Sequence, residues 1–210
     1  MADETIYYVG DPMCSWCWGF APVLDAVKAA IPEELPLVYV MGGLAKDSDE
    51  PMPQETREYI QGQWRLVTEQ TGATFNWDFW DDCQPRRSTY PACRAAISAG
   101  LQKEDAVATM FEAIQRAYYQ EARNPSDLDT LTALAGELSL DRDCFAEDVV
   151  SDEVEQLLQD GFNVRRSLGV REFPSLVYKN GEEQTWLVKG WASKDTALRM
   201  LEEVGIPLAV

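Results

Sequence analysis

Apolar residues along this chain switch between two spacings, and the switches mark out its elements. Ile6-Tyr7-Tyr8-Val9 is a short β-branched and aromatic run closed by Gly10-Asp11-Pro12, which predicts a buried strand and a turn. After Cys14 the apolar positions fall at Phe20, Val23, Leu24, Val27 and Ile31, the spacing of an amphipathic helix, and Pro32 stops it. Leu37 to Met41 predicts a second strand, ended by Gly42-Gly43. A strand, a helix and a strand within about forty residues form a βαβ unit, whose strands run parallel.

From about residue 52 to 168 the spacing becomes helical almost throughout. Ile60, Trp64 and Val67 form a stripe stopped by Gly72, and a Trp-rich, turn-like stretch runs from Phe75 to Arg87. Pro91 suits the first turn of a helix ending near Gly100, and Val107, Met110, Phe111, Ile114 and Tyr118 make a long stripe. Ser126 is read as the N-cap of a helix bearing Leu128, Leu131, Leu134 and Leu138, and Ser151 as the cap of another carrying Val154, Leu157, Leu158, Val164 and Leu168. Strand signals then return: Ser175 to Lys179, Asn180-Gly181 as a hairpin turn, and Thr185 to Val188. Ser193 caps a last helix with Ala197, Leu198 and Leu201. The fold class is therefore α/β. Residues 1–50 and 165–210 are expected to form one discontinuous domain, with 51–164 as an inserted helical domain.

Composition narrows the chemistry. The 210 residues are 46% hydrophobic, with no apolar run long enough to span a bilayer. Met1-Ala2-Asp3-Glu4 lacks the basic and apolar regions of a signal peptide, so a cytoplasmic location is expected. Acidic side chains outnumber basic ones 36 to 18, giving −18, a field that repels nucleic acid and anionic lipid. There is no histidine, which removes Ser-His-Asp and Cys-His catalysis and histidine metal sites.

What remains is thiol chemistry. Cys14-Ser15-Trp16-Cys17 lies between a strand and a helix, and two intervening residues bring both sulfurs within disulfide reach. The helix N-terminus favours a thiolate at Cys14, expected to be the exposed nucleophile, with Cys17 one turn deeper as the resolving thiol. Asp11 is either a proton acceptor or a turn holder. A zinc site would need a second ligand pair, which the sequence does not offer. No metal is expected, and no cofactor beyond the redox-active disulfide, with glutathione as a candidate co-substrate.

Cys17-Trp18-Gly19-Phe20-Ala21-Pro22 resembles the active-site helix of thioredoxins. The helical block before the hairpin resembles the insertion of the DsbA-like family, and Asp11 to Phe20 is similar to its cytosolic, FrnE-type branch. The resemblance covers the element order along almost the whole chain. It implies a thioredoxin fold, a disulfide oxidoreductase or isomerase activity, and protein or small-thiol partners with a cellular thiol reductant. It also implies that Phe173-Pro174 carries a cis bond opposite the dithiol, with Pro174 part of the catalytic site. Phe173, Ser15 and Trp16 would then contact substrate. The dipeptide Ser15-Trp16 lacks the histidine of the exported oxidases, which weighs against a strongly oxidising role.

Two other activities compete. Relatives that resemble 2-hydroxychromene-2-carboxylate isomerases and kappa-class transferases use glutathione with a serine at the first thiol position. A chaperone-like binding module would use the aromatic residues Trp64, Trp77, Phe79 and Trp80, whose bland reading is packing between helices. Cys83 and Cys93, ten positions apart, could form a structural disulfide but are expected as buried free thiols in a reducing compartment, Cys144 as a core residue, and Arg86-Arg87 as a solvated pair or, less simply, an anion site.

Overall fold

A computed structural model describes residues 4–208, in which the two spacings become four strands and nine helices. The opening unit is β1 (Glu4–Gly10), α1 (Ser15–Ala30) and β2 (Leu37–Met41), with β1 and β2 parallel in the register Ile6 to Leu37 through Gly10 to Met41. Seven helices follow: α2 (Gln54–Thr71), α3 (Phe79–Asp82), α4 (Tyr90–Gln102), α5 (Ala106–Gln120), α6 (Leu128–Glu137), α7 (Arg142–Asp148) and α8 (Asp152–Ser167). The chain closes with β3 (Ser175–Asn180), β4 (Glu183–Lys189) and α9 (Lys194–Glu203). The sheet order is β2-β1-β3-β4, with β3 antiparallel to both neighbours.

Both faces of the sheet are covered. On one, Ile6, Tyr8, Leu176 and Tyr178 share a core with α1 and α9; on the other, Val9, Val40 and Val177 meet Leu168 and Val170. This is why β1 reads as a continuous apolar run rather than as an alternation. α8 touches both β2 and α4, joining the sheet to the helical block. α1 and α2 approach closely at Gly19, where an added Cβ would come within 2.8 Å of Val67. No helix among the described residues is long and apolar enough to cross a membrane.

Local signals hold with informative exceptions. Ser151 and Ser193 accept bonds from Val154 N (3.2 Å) and Thr196 N (3.3 Å), as N-caps do. Ser126 does not cap α6. Its hydroxyl donates to the Ser88 carbonyl (2.7 Å), and Asp127 takes the N-cap position. In the hairpin Asn180 pairs with Glu183, so Gly181 is the first central residue, at φ 59°, where a type II′ turn needs glycine. Ile31 ends α1 in an extended conformation rather than continuing its stripe, because the following Pro32 disfavours helical backbone before it. The stretch from Phe75 to Arg87 contains the single turn α3.

Candidate active site

α1 begins one residue after Cys14. Cys14 is its N-cap (φ −87°, ψ 117°), and its carbonyl accepts from Trp18 N at 3.0 Å. Its sulfur therefore lies beside the first turn, where unpaired N–H groups and the positive end of the dipole gather. Cys17 is the third helical residue and faces the core. Cys17 is 0% accessible and Cys14 7%, so the depth order is as expected, but Cys14 is not an exposed thiol. The correction has a steric cause: Cys14 lines a groove of about 200 Å³ walled by Trp16, Ile60, Gln63, Arg87 and Phe173. Burial pushes the Cys17 thiol well above the usual cysteine range, and the adjacent Cys14 sulfur adds to the shift.

The Phe173–Pro174 bond is cis, and the Phe173 carbonyl lies 3.9 Å from Cys14 Sγ. Pro174 is buried, Phe173 half-buried. Two residues that sequence reasoning missed hold this loop. The Arg165 guanidinium, 5.8 Å from the Phe173 ring centroid, also donates to the Gly42 carbonyl. A Cβ on Gly42 would lie 2.8 Å from the same ring, so the glycine makes room for it. Gly42-Gly43 was legible only as a strand end, and nothing in the local pattern links Arg165 to Phe173. Ser15 and Trp16 both border the groove and are half-buried, and Trp16 Nε1 donates to Gln63 Oε1 (3.1 Å), which ties the dithiol loop to α2.

Asp11 is fully buried and its carboxylate is occupied. Oδ1 accepts from Met13 N (2.8 Å), and Oδ2 from Leu44 N (2.8 Å) and Thr89 Oγ1 (2.8 Å), with Cys93 Sγ at 3.6 Å. Its main-chain carbonyl accepts from Cys14 N (3.0 Å). The side chain thus pins the turn before the dithiol to the loop after β2 and to the start of α4. Burial raises its carboxyl above the usual range, and the bonds from Leu44, Thr89 and Met13 oppose that rise. Asp11→Ala strands the buried Met13 N–H and the part-buried Leu44 N–H, and leaves the Thr89 hydroxyl only a longer contact with the Ala45 carbonyl (3.4 Å). The expected loss in urea unfolding is about 3 kcal/mol or more, and a loss below about 1 kcal/mol would show that the turn holds without it.

The chain as a whole is similar to known proteins. A family model described as thioredoxin covers residues 7–198. The chain belongs to the thioredoxin family. A proposed protein disulfide isomerase from Nitrosomonas europaea is 30% identical, with a TM-score of 0.82 over 95% of this chain and 96% of that one. The cytosolic disulfide reductase DsbM from Pseudomonas aeruginosa, also solved with GSH, is 25% identical at a TM-score of 0.78, covering 95% and 98%. The ClpXP adapter protein SpxH of Bacillus subtilis (strain 168) is 24% identical over 203 residues, 95% of this chain and 67% of that protein. Likeness at the level of fold extends to DsbA oxidoreductases. The family and the fold are those of thiol–disulfide oxidoreductases.

Elsewhere in this thioredoxin-family chain several side chains depart from their sequence reading. Trp64 is fully buried at the centre of an aromatic cluster, with Phe75 (4.8 Å), Trp80 (5.0 Å), Tyr118 (5.6 Å) and Tyr119 (5.5 Å) around it. Phe79 and Trp80 are buried too, so the dense aromatics are mainly packing, and only Trp77 is exposed. Arg86 is not a solvated loop residue. It bonds the Ser126 carbonyl and Asp127 (2.6 Å each) and anchors the turn before α6, while Arg87 borders the dithiol groove. Cys144 is exposed rather than core, because Phe145 next to it takes the one buried position of the short α7. Cys93 is buried and Cys83 half-buried, its thiol donating to the Ala122 carbonyl (3.0 Å).

Proposed function

We propose that the protein exchanges disulfides with glutathione-type and protein substrates through Cys14 and Cys17. The carrying observation is the pairing of a nearly buried N-cap thiol, open only to a groove, with a fully buried second thiol on the same helix turn. In the reductive direction the Cys14 thiolate attacks a substrate disulfide, forming the Cys14–S–S–substrate bond and releasing the first substrate thiolate. Cys17 then attacks Cys14 Sγ, the second substrate sulfur leaves with the bonding pair and takes up a proton, and the Cys14–Cys17 disulfide remains. A cellular thiol reductant restores the dithiol. The redox-active pair is itself the cofactor.

The groove suits an extended disulfide substrate. The Phe173 carbonyl next to Cys14 offers a main-chain acceptor to a passing peptide N–H, and Trp16 offers an aromatic wall. Arg87 and Arg171 border the same groove and suit the carboxylates of glutathione, the ligand with which DsbM was solved. The reducing setting of DsbM and the absence of histidine beside Cys14 favour a reductase or isomerase working in the cytoplasm.

The test is turnover of glutathione disulfide, or of a glutathionylated peptide, by the reduced protein. Wild type is expected to turn over, and Cys14→Ser to lose activity by on the order of a thousandfold. Equal activity in the two would overturn the assignment.

A further inference from the structure

A second cavity, of about 310 Å³, lies between α1, β2 and α5 and shares no lining residue with the groove at Cys14. Trp18, Ala21 and Leu24 of α1 form one wall, Phe111 and Gln115 of α5 another, and Tyr39 of β2 a third. Disulfide exchange uses none of these six side chains. The rings are held in place. Trp18 stacks on Tyr119 (5.7 Å) and its Nε1 donates to the Thr74 carbonyl (3.1 Å), while Tyr39 meets Phe111 edge-on (5.5 Å). Tyr8 and Cys17 line the cavity as well.

Its polar atoms lack partners. Among the described residues, Gln115 Nε2, Tyr8 Oη and Tyr39 Oη are buried without a hydrogen bond. Gln115 is only 2% accessible and Tyr8 1%. A native interior seldom leaves such groups unpaired, and three around one cavity mark a place that a further molecule completes. Aromatic walls with a few convergent polar points are the makeup of a small-molecule pocket.

The chemistry of that molecule follows from what lines the space. A glutamine Nε2 only donates, and phenolic hydroxyls donate readily, so the missing group is an acceptor oxygen. It is an uncharged one. The cations beside the cavity are already engaged, Lys28 by Glu112 (2.7 Å) and Arg116 by Glu121 (3.3 Å), and the exposed Asp25 and Glu112 repel an anion. A carboxylate carried inside would lose its hydration without gaining a cation. The walls take a flat ring. An apolar cavity of about 150 Å³ accommodates benzene, so about twice that space holds a substituted ring or two fused ones.

We propose that this cavity binds a small uncharged aromatic carbonyl compound. Its oxygen accepts from Gln115 and the two tyrosine hydroxyls, and its ring lies between the walls of α1 and α5. The site is additional to disulfide exchange and leaves the Cys14 groove free. Binding makes and breaks no covalent bond. Because Cys17 is part of the lining, the ligand also packs against the resolving thiol.

The probe is acetophenone, with ethylbenzene as the similar shape without the oxygen and benzoate as the charged counterpart. In proton–nitrogen correlation spectra of the reduced full chain, acetophenone is expected to shift the Gln115 side-chain amide and Trp18 indole signals together and saturably. Ethylbenzene and benzoate are each expected to bind about tenfold more weakly. Gln115→Met keeps the length of the side chain and removes the amide. It is expected to fold, since that Nε2 has no bond to lose, and to weaken acetophenone about tenfold while leaving ethylbenzene unchanged. Ala21→Leu narrows the cavity and is expected to weaken both. The absence of a saturable shift at the two signals, as for a cavity that holds water alone, overturns the inference. So does ethylbenzene or benzoate binding the wild type as tightly as acetophenone, a comparison that decides the matter even where Gln115→Met does not fold. Binding without any turnover of glutathione disulfide would instead sink the exchange reading and leave this site standing.

Discussion

With Cys17 replaced by alanine, glutathione disulfide is expected to leave one glutathione bound to Cys14 and to stall there. Mass spectrometry of the intact chain reads the adduct, and a Cys144→Ser background removes the one exposed thiol that would confuse it. Turnover should fall on the order of a hundredfold or more, because the two sulfurs act as one unit. The physical reason lies in their burial. Once Cys14 carries a substrate sulfur in a groove of about 200 Å³, an external thiol has little room to reach it, and the buried Cys17 beside it is the efficient attacker. An isomerase of the 2-hydroxychromene-2-carboxylate type uses the first position alone and would keep its rate in this variant. Full retention of turnover would therefore sink the dithiol mechanism and favour that one.

Trp64→Ala is expected to carry the largest cost in stability. Trp64 has no accessible surface and meets aromatic rings from the segment after α2, from α3 and from α5. Truncating it removes the contacts that join those elements and leaves a cavity that rigid rings cannot close, a loss of about 3–5 kcal/mol. Against a total of about 5–15 kcal/mol for a domain, that approaches unfolding. Urea denaturation is the measurement, and a change under about 1 kcal/mol would mean that the cluster repacks freely. The same substitution removes part of the wall of the Cys14 groove, so the surviving fraction should also react faster with bulky alkylating agents.

The legible parts of this fold are those set by local chemistry. β1, α1 and β2 followed from spacing alone, and the dithiol was visible as a motif because its function depends on being one helix turn long. The Asn180-Gly181 signal located the hairpin, yet the residue with positive φ turned out to be Gly181 at the first central position, which depends on how β3 and β4 pair. Ser126 and Cys144 misled for a related reason. A good capping residue loses its role when a nearby carbonyl, here that of Ser88, takes its hydroxyl, and a short helix offers its single buried position to whichever neighbour is larger.

The site divides in the same way. Cys14, Cys17 and the Phe173-Pro174 segment could be named from the chain, but the groove depends on α2 and on the loops carrying Leu44, Arg87 and Arg171 closing around the dithiol. The pins that hold it are contacts over long sequence separations: Asp11 with Thr89, Trp16 with Gln63, Arg165 with Gly42. No periodicity encodes such pairs.

By itself, then, the sequence determined the α/β element order, the absence of histidine chemistry and the dithiol at a helix start, all of which depend on residues close together in the chain. Only the tertiary structure decided how deep each sulfur lies and that Cys14 borders a groove. It also decided that the buried Asp11 carboxylate is occupied by Met13 N, Leu44 N and the Thr89 hydroxyl. Burial and hydrogen-bond partnership are properties of what packs against a residue, and here the packing elements lie tens of residues away along the chain.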